Sequence, residues 1–193
     1  GAKVVAAMKT SYFDSGYEIR SVLRTLFNSE YFKSEQARSA RVKGPVELVA
    51  GAIRLAGSYR SPTYGIHKVA QNCLFMGQGL LSPPTVEGWH EADEWIDSGA
   101  LVERINFVAS ELGNVSNPGV RTIINRLANQ NSSALSPEDV VDTCLDLMGP
   151  ISASKKTYQA LVEHVSEKGS LNLKQHSQKD ESEQRVGEVL GLI

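Results

Sequence analysis

The side chains best equipped for chemistry lie between Ser82 and Ser98. This stretch gathers Glu87, His90, Glu91, Asp93, Glu94 and Asp97 around Trp89 and Trp95. Carboxylates with an imidazole form a donor set for a hard or borderline cation. The D-x-D-x-D-G spacing that wraps calcium is absent, so no metal is expected. An exposed Trp89 or Trp95 would instead anchor a peptide or a glycan. A plainer reading makes the stretch a brace between helices. Pro83-Pro84 holds the backbone extended, the tryptophans plug helix ends with their N–H groups bonded to backbone, and the acids face water. Trp89, His90, Trp95, Glu87 and Asp97 are thus candidates for a site or for a structural elbow, and the elbow is the favoured reading.

A second pair comes from separate segments. Glu47 follows Pro45 near one helix start, and Arg104 lies near the start of the helix after Ser98. The pattern predicts an ion pair that orients these two helices. The functional alternative is a general acid–base carboxylate tuned by that arginine. No nucleophile accompanies it, and GxSxG, GxxxxGK[ST], HExxH and a complete GxGxxG are all missing. Gly77-Gln78-Gly79 is too short for a phosphate cradle and reads as a helix stop. His67 reads as a surface or boundary histidine; His164 and His176 lie in polar surroundings. No catalytic residue is assigned, and no cofactor is expected.

The elements that must position these residues are helical. Ile19, Val22, Leu23, Leu26 and Phe27 follow the i, i+3, i+4, i+7, i+8 spacing of a core-facing stripe. Val4, Val5, Met8 and Tyr12 precede them, with Gly16 as the expected left-handed stop. Val46, Val49, Ile53 and Ala56 form a helix that Pro45 opens and Gly57 ends. Thr63 is expected to cap the next, which carries Ile66, Val69, Cys73 and Leu74. Ser98 is expected to cap a helix with Leu101, Ile105, Val108 and Leu112. Further helices follow from Pro118, from Ser136-Pro137-Glu138-Asp139, from Ser152, and over 180–193. Gly149-Pro150 is read as the stop between the second and third of these, and 129–134 as a polar loop. No segment alternates at period two, which argues against a sheet. The fold class is therefore all-α, an irregular bundle of about eight or nine helices with one long Pro/Trp-containing connection. It is expected as one domain over 1–193, with 170–193 as a loosely attached C-terminal helix.

Bulk properties narrow the function classes. At 193 residues the chain is long enough to bury a core without staples. No apolar run reaches the roughly 20 residues that cross a bilayer, so no membrane span is expected. The chain starts inside a helical pattern and stops on Ile193 in an apolar stripe, so both ends read as cut from a longer protein. Net charge is −2, but residues 1–70 carry eleven Lys/Arg against five Asp/Glu, whereas 71–115 carry one Arg against seven acids. Packing of the acidic connection near the basic N-terminal helices is the expected consequence. A nucleic-acid partner is not expected, because no aromatics interleave with the bases. Cys73 and Cys144 both fall on apolar faces and read as buried free thiols.

Three segments carry a family resemblance: YEIRSVLRTLFNSEYF (Tyr17 to Phe32), ARVKGPVELVAGAIRLAG (Ala40 to Gly57) and, most specific, GQGLLSPPTVEGWHEADEWIDSGALVERINF (Gly77 to Phe107). SPEDVVDTCLDLMGP fits as well. Together they resemble the C-terminal portion of bacterial proteins catalogued as domain of unknown function 1800. Where that family reads G-W-P-G-G, this chain has Gly88-Trp89-His90-Glu91-Ala92. The resemblance implies an exported or periplasmic bacterial protein, often encoded beside a sulfatase-like partner, and no established reaction. The leading expectation is a non-catalytic helical module for assembly or partner binding. The alternatives are part of a hydrolase completed by a further region or a partner, and a cation-dependent glycan-binding surface.

Overall fold

The computed structural model describes the chain except residues 39, 130–134, 150, 168, 170, 176 and 177. Residues 130–134 of the loop expected over 129–134, the stop at Pro150 and His176 therefore lie outside the described residues. Those described form ten α-helices and one 3-10 turn, with two isolated bridges and no strand. The all-α expectation holds. Where the pattern predicts one domain, contacts divide the chain into two compact units, Gly1–Val42 and Lys43–Ile193. The division falls in the basic linker.

The smaller unit is a helical hairpin, α1 (Ala2–Asp14) and α2 (Ile19–Asn28), followed by the single turn α3 (Glu30–Lys33). The chain reverses at Gly16 (φ +67°) and Tyr17 (φ +72°). Glycine adopts this left-handed backbone freely, whereas Tyr17 adopts it at a cost. Val4, Met8, Tyr12, Val22 and Leu26 are half-buried, but no described residue of this unit is fully buried. Ile19, Leu23 and Phe27, predicted to face a core, are 60%, 43% and 51% exposed.

The larger unit contains α4 (Pro45–Ala56), α5 (His67–Phe75), the 3-10 turn (Ala92–Trp95), α6 (Ser98–Leu112), α7 (Pro118–Ala128), α8 (Pro137–Met148), α9 (Lys155–Ser166) and α10 (Lys179–Leu192). Its main core joins Val120, Ile123, Ile124 and Leu127 of α7 to Val140, Val141 and Cys144 of α8, Leu161 and Val165 of α9, and Val186, Val189 and Leu190 of α10. These are the positions the 3.6-residue period selects. A smaller cluster, Val49, Ala52, Cys73, Met76 and Phe107, holds α4, α5 and α6 together.

Local signals fix most helix starts. Ser136 Oγ accepts from Asp139 N at 3.1 Å, with Pro137 in the first turn. Three starts are shifted. Ser154, not Ser152, caps α9, and Asp97, not Ser98, caps α6. Thr63 caps nothing: Gly65 at φ +91° interrupts the helical path, and α5 begins at His67.

The largest difference concerns α10. Rather than hanging loosely, it inserts into the core beside α6, α7, α8 and α9. Gly187 and Gly191 let it approach α6 closely: a Cβ on Gly187 would lie 2.8 Å from the Gly113 carbonyl, and one on Gly191 3.1 Å from Ala109 Cα. Its buried polar groups are also matched. Glu183 meets Arg121 at 2.5 Å, Ser182 Oγ accepts from Asn172 N, and Arg185 donates to the Val165 and Gly169 carbonyls. Nothing in the spacing of these polar residues marks them for burial; the partners that permit it lie 10 to 62 residues away in sequence.

Both thiols are free and buried, as expected. Burial pushes the Cys144 thiol from its ordinary 9.0 up to about 12. The unfolded chain releases this proton near pH 9 and the folded chain holds it to about pH 12. The contribution is therefore full below pH 9 and is lost as pH rises through that window, by up to about 4 kcal/mol. We expect Cys144→Ala to cost about 1–2 kcal/mol at neutral pH through lost packing, and its deficit against wild type to shrink and reverse above pH 9. Parallel curves in urea titrations across that range would disprove this origin of the alkaline lability.

Candidate functional site

Three of the sequence-predicted residues, Glu47, Arg104 and Trp95, come to the start of α4. Glycine at the N-cap has no side chain to offer, so the exposed N–H groups there are satisfied from elsewhere. Glu47 Oε2 reaches back to accept from Gly44 N at 2.9 Å. Gln78 Oε1, just past the end of α5, accepts from Val46 N at 2.9 Å. Gln78 thus caps a helix 32 residues earlier in the chain. The sequence offers only a GxG stop at this position, with no signal for that role.

Arg104 comes to the same junction from α6. It is only 7% exposed, and its Nη2 donates to the Lys43 carbonyl at 2.9 Å. Its Nε is buried with no hydrogen-bond partner, and burial lowers its pKa. The predicted Glu47–Arg104 pair is thus replaced on the arginine side by a carbonyl. Both side chains serve backbone groups at the α4 start, Glu47 on Gly44 and Arg104 on Lys43. Through these bonds both side chains help position the start of α4.

The connection supplies the lid of this junction. Trp95 is buried, 6% exposed, and lies against Gly44 and Gly77: ideal Cβ atoms there would sit 3.8 and 4.0 Å from its ring. Trp89 Nε1 donates to the Gly79 carbonyl at 3.1 Å, tying the loop to the end of α5. His90 Nδ1 pairs with Glu94 Oε2 at 3.2 Å, and its ring meets Trp95 edge-on at 6.1 Å. Asp97 Oδ1 accepts from Ala100 N at 2.8 Å and so caps α6. Glu87, Glu91, Asp93 and Glu94 are exposed. Among the described residues no three His, Cys, Asp or Glu side chains gather as a metal site. The connection brings Trp95, Gly44 and Gln78 together but leaves His90 and the acids at the surface.

An open groove of about 500 Å³ lies elsewhere in the larger unit, at the end of α4 and the start of α7. Ser58 Oγ donates to Glu111 Oε2 at 2.7 Å across it, and Asn117 Nδ2 donates to the Glu111 carbonyl at 2.7 Å. None of the candidate site residues predicted from sequence lines it.

What distinguishes the surface is apolar exposure. Among the described residues of the larger unit, eleven of the thirteen exposed large apolar side chains lie between Tyr64 and Ile105. They include Leu74 and Phe75 at the end of α5, Leu80, Leu81 and Val86 in the connection, and Leu101, Val102 and Ile105 on α6. Leu81 and Val86 are 96% and 107% exposed. The overlapping stretch 71–115 carries the acidic excess. Lone exposed apolar residues are ordinary, but so many from one segment are not.

Among protein-family models, the one described as Protein of unknown function (DUF1800) matches residues 1–192. No curated protein and no solved structure matches the chain.

Proposed function

Because the chain belongs to the DUF1800 family, whose function is unknown, we propose that it acts as a helical binding module. Its larger unit receives a partner protein on the apolar, acidic surface formed by α5, the proline–tryptophan connection and α6. The observation that carries this reading is the concentration of exposed Leu, Phe, Val and Ile between Tyr64 and Ile105, in a unit that buries such side chains well elsewhere. The acids of the same stretch favour a partner whose contact surface is apolar at its centre and carries Lys or Arg at its rim. The family setting makes a sulfatase-like exported protein the first partner to try. A hydrolase role finds less support, since Glu47 and Arg104 are engaged by backbone at the start of α4.

The test is binding of that partner to wild-type protein and to Phe75→Asp and Leu81→Asp variants. Both side chains are exposed, so the melting temperature is expected to stay within a few degrees of wild type. Binding is expected to weaken at least tenfold, about 1.4 kcal/mol, as buried apolar anchors are lost. Unchanged affinity in both variants would rule this surface out. A melting temperature that rises with calcium would instead favour the cation-dependent surface.

A further inference from the structure

We propose that the N-terminal hairpin is a self-association element: α1 and α2 pair with the same hairpin of a second copy, antiparallel, to make a four-helix bundle. This is separate from the partner surface on the larger unit and does not rest on it. The first observation is that the hairpin has helices of 13 and 10 residues and no fully buried residue. Isolated helices of this length are marginal in water, and tertiary burial must supply their stability. Eight large apolar side chains remain exposed by 42% (Tyr31) to 65% (Val5).

The shape of the exposed surface selects the occupant. Ile19, Leu23 and Phe27 recur every four residues along α2 and form one outward stripe. A two-fold interface needs a patch complementary to itself. An antiparallel dyad through Leu23 sets Leu23 on Leu23 and Ile19 on Phe27, so every stripe position meets an apolar group. Tyr17 and Phe32, 63% and 47% exposed, flank the two ends. With roughly half of each aromatic side chain's ~150–250 Å² available, a pairing that covers most of the eight reaches the ~1,200 Å² total of a small specific interface.

Charge agrees with the antiparallel sense. The hairpin tip carries Asp14 and Glu18, and the opposite end Lys3 and Lys33. Arg20 near the tip and Glu30 near the far end each offset one charge, leaving opposite net signs at the two ends. Tip-to-tip pairing sets like charges together; tip-to-base pairing sets unlike ones together.

Light scattering of the full chain across the micromolar range, combined with cysteine cross-linking, tests this. The native thiols are buried, so introduced ones report selectively. The expected results are a mass of two chains, a covalent dimer from Leu23→Cys on oxidation, and a mixed dimer from Ile19→Cys with Phe27→Cys that forms faster than either variant's self-dimer. Leu23→Glu is expected to abolish the dimer over the same range and leave the main melting transition, that of the larger unit, in place. A monomer at every concentration would overturn the proposal, and so would a dimer that survives Leu23→Glu. Preferential Ile19→Cys self-linking would overturn the antiparallel pairing. A monomer whose α2 amides resist hydrogen exchange would show that the stripe is covered within one chain, which also defeats it.

Discussion

Gly119→Ala is expected to destabilise the protein by at least about 3 kcal/mol, although alanine is ordinarily the better helix former. Gly119 sits in the first turn of α7 where that helix crosses the end of α4. A Cβ there would lie 1.9 Å from the Leu55 carbonyl oxygen and 2.8 Å from the Ala56 carbonyl carbon. Both obstacles are backbone, so no rotamer change relieves them, and the two helices must separate. The gain in helix propensity, about 1 kcal/mol, is the smaller term. For a unit of this size the loss corresponds to a fall of roughly 6–12 °C in melting temperature. Gly51 provides the opposite sign. It lies in the middle of α4 with nothing within 4 Å of its added Cβ, so Gly51→Ala is expected to stabilise by up to about 1 kcal/mol. Equal melting temperatures for Gly119→Ala and wild type would mean that α4 and α7 do not cross as closely as described.

Arg185→Met is expected to cost about 3 kcal/mol, with Arg185→Lys intermediate. Arg185 is 5% exposed in α10, and its Nη2 serves the Val165 carbonyl and, at 2.7 Å, the Gly169 carbonyl. These carbonyls end α9 and the turn after it, where no intrahelical donor remains. Methionine keeps most of the volume, so the loss reports the polar contacts of the guanidinium; each stranded buried carbonyl costs about 1–3 kcal/mol. Lysine keeps the charge and a nitrogen with several N–H donors, but lacks the rigid planar guanidinium that holds Nη2 between the two carbonyls. Hydrogen exchange in the last turn of α9 is expected to quicken more than the global loss requires. A variant whose α9 amides quicken only in proportion to the loss of overall stability would show that Arg185 contributes packing alone.

Both predictions involve features that periodicity does not reveal. The apolar stripes of α4, α7, α8 and α9 are legible because burial of one helix face requires a repeat near 3.6 residues, and Val120, Ile123, Ile124 and Leu127 display it in full. The all-α class followed from such stripes alone. The stripe Ile19–Leu23–Phe27 is equally regular and yet stays exposed. Periodicity marks a face suited to burial without naming what buries it. In α10 the converse holds: no pattern marks Ser182, Glu183 and Arg185 for burial, which depends on Asn172, Arg121 and the α9 end.

The candidate site divides along the same line. Proline–proline geometry, a helix start near Ser98 and a tryptophan-rich elbow are local and can be read from Ser82 to Ser98, although the cap itself is Asp97 and not the expected Ser98. The cap that Gln78 lends to Val46, the Trp95 ring against Gly44 and the carbonyl taken by Arg104 join segments tens of residues apart. Helices and most of their limits were legible in this chain because backbone bonding and side-chain spacing act within a few residues. Which polar groups are buried, which glycines touch backbone and which apolar stripes stay in water depended on the tertiary structure. Hydrogen bonds and steric contacts act only over a few ångströms, and folding alone brings those distant partners within that reach.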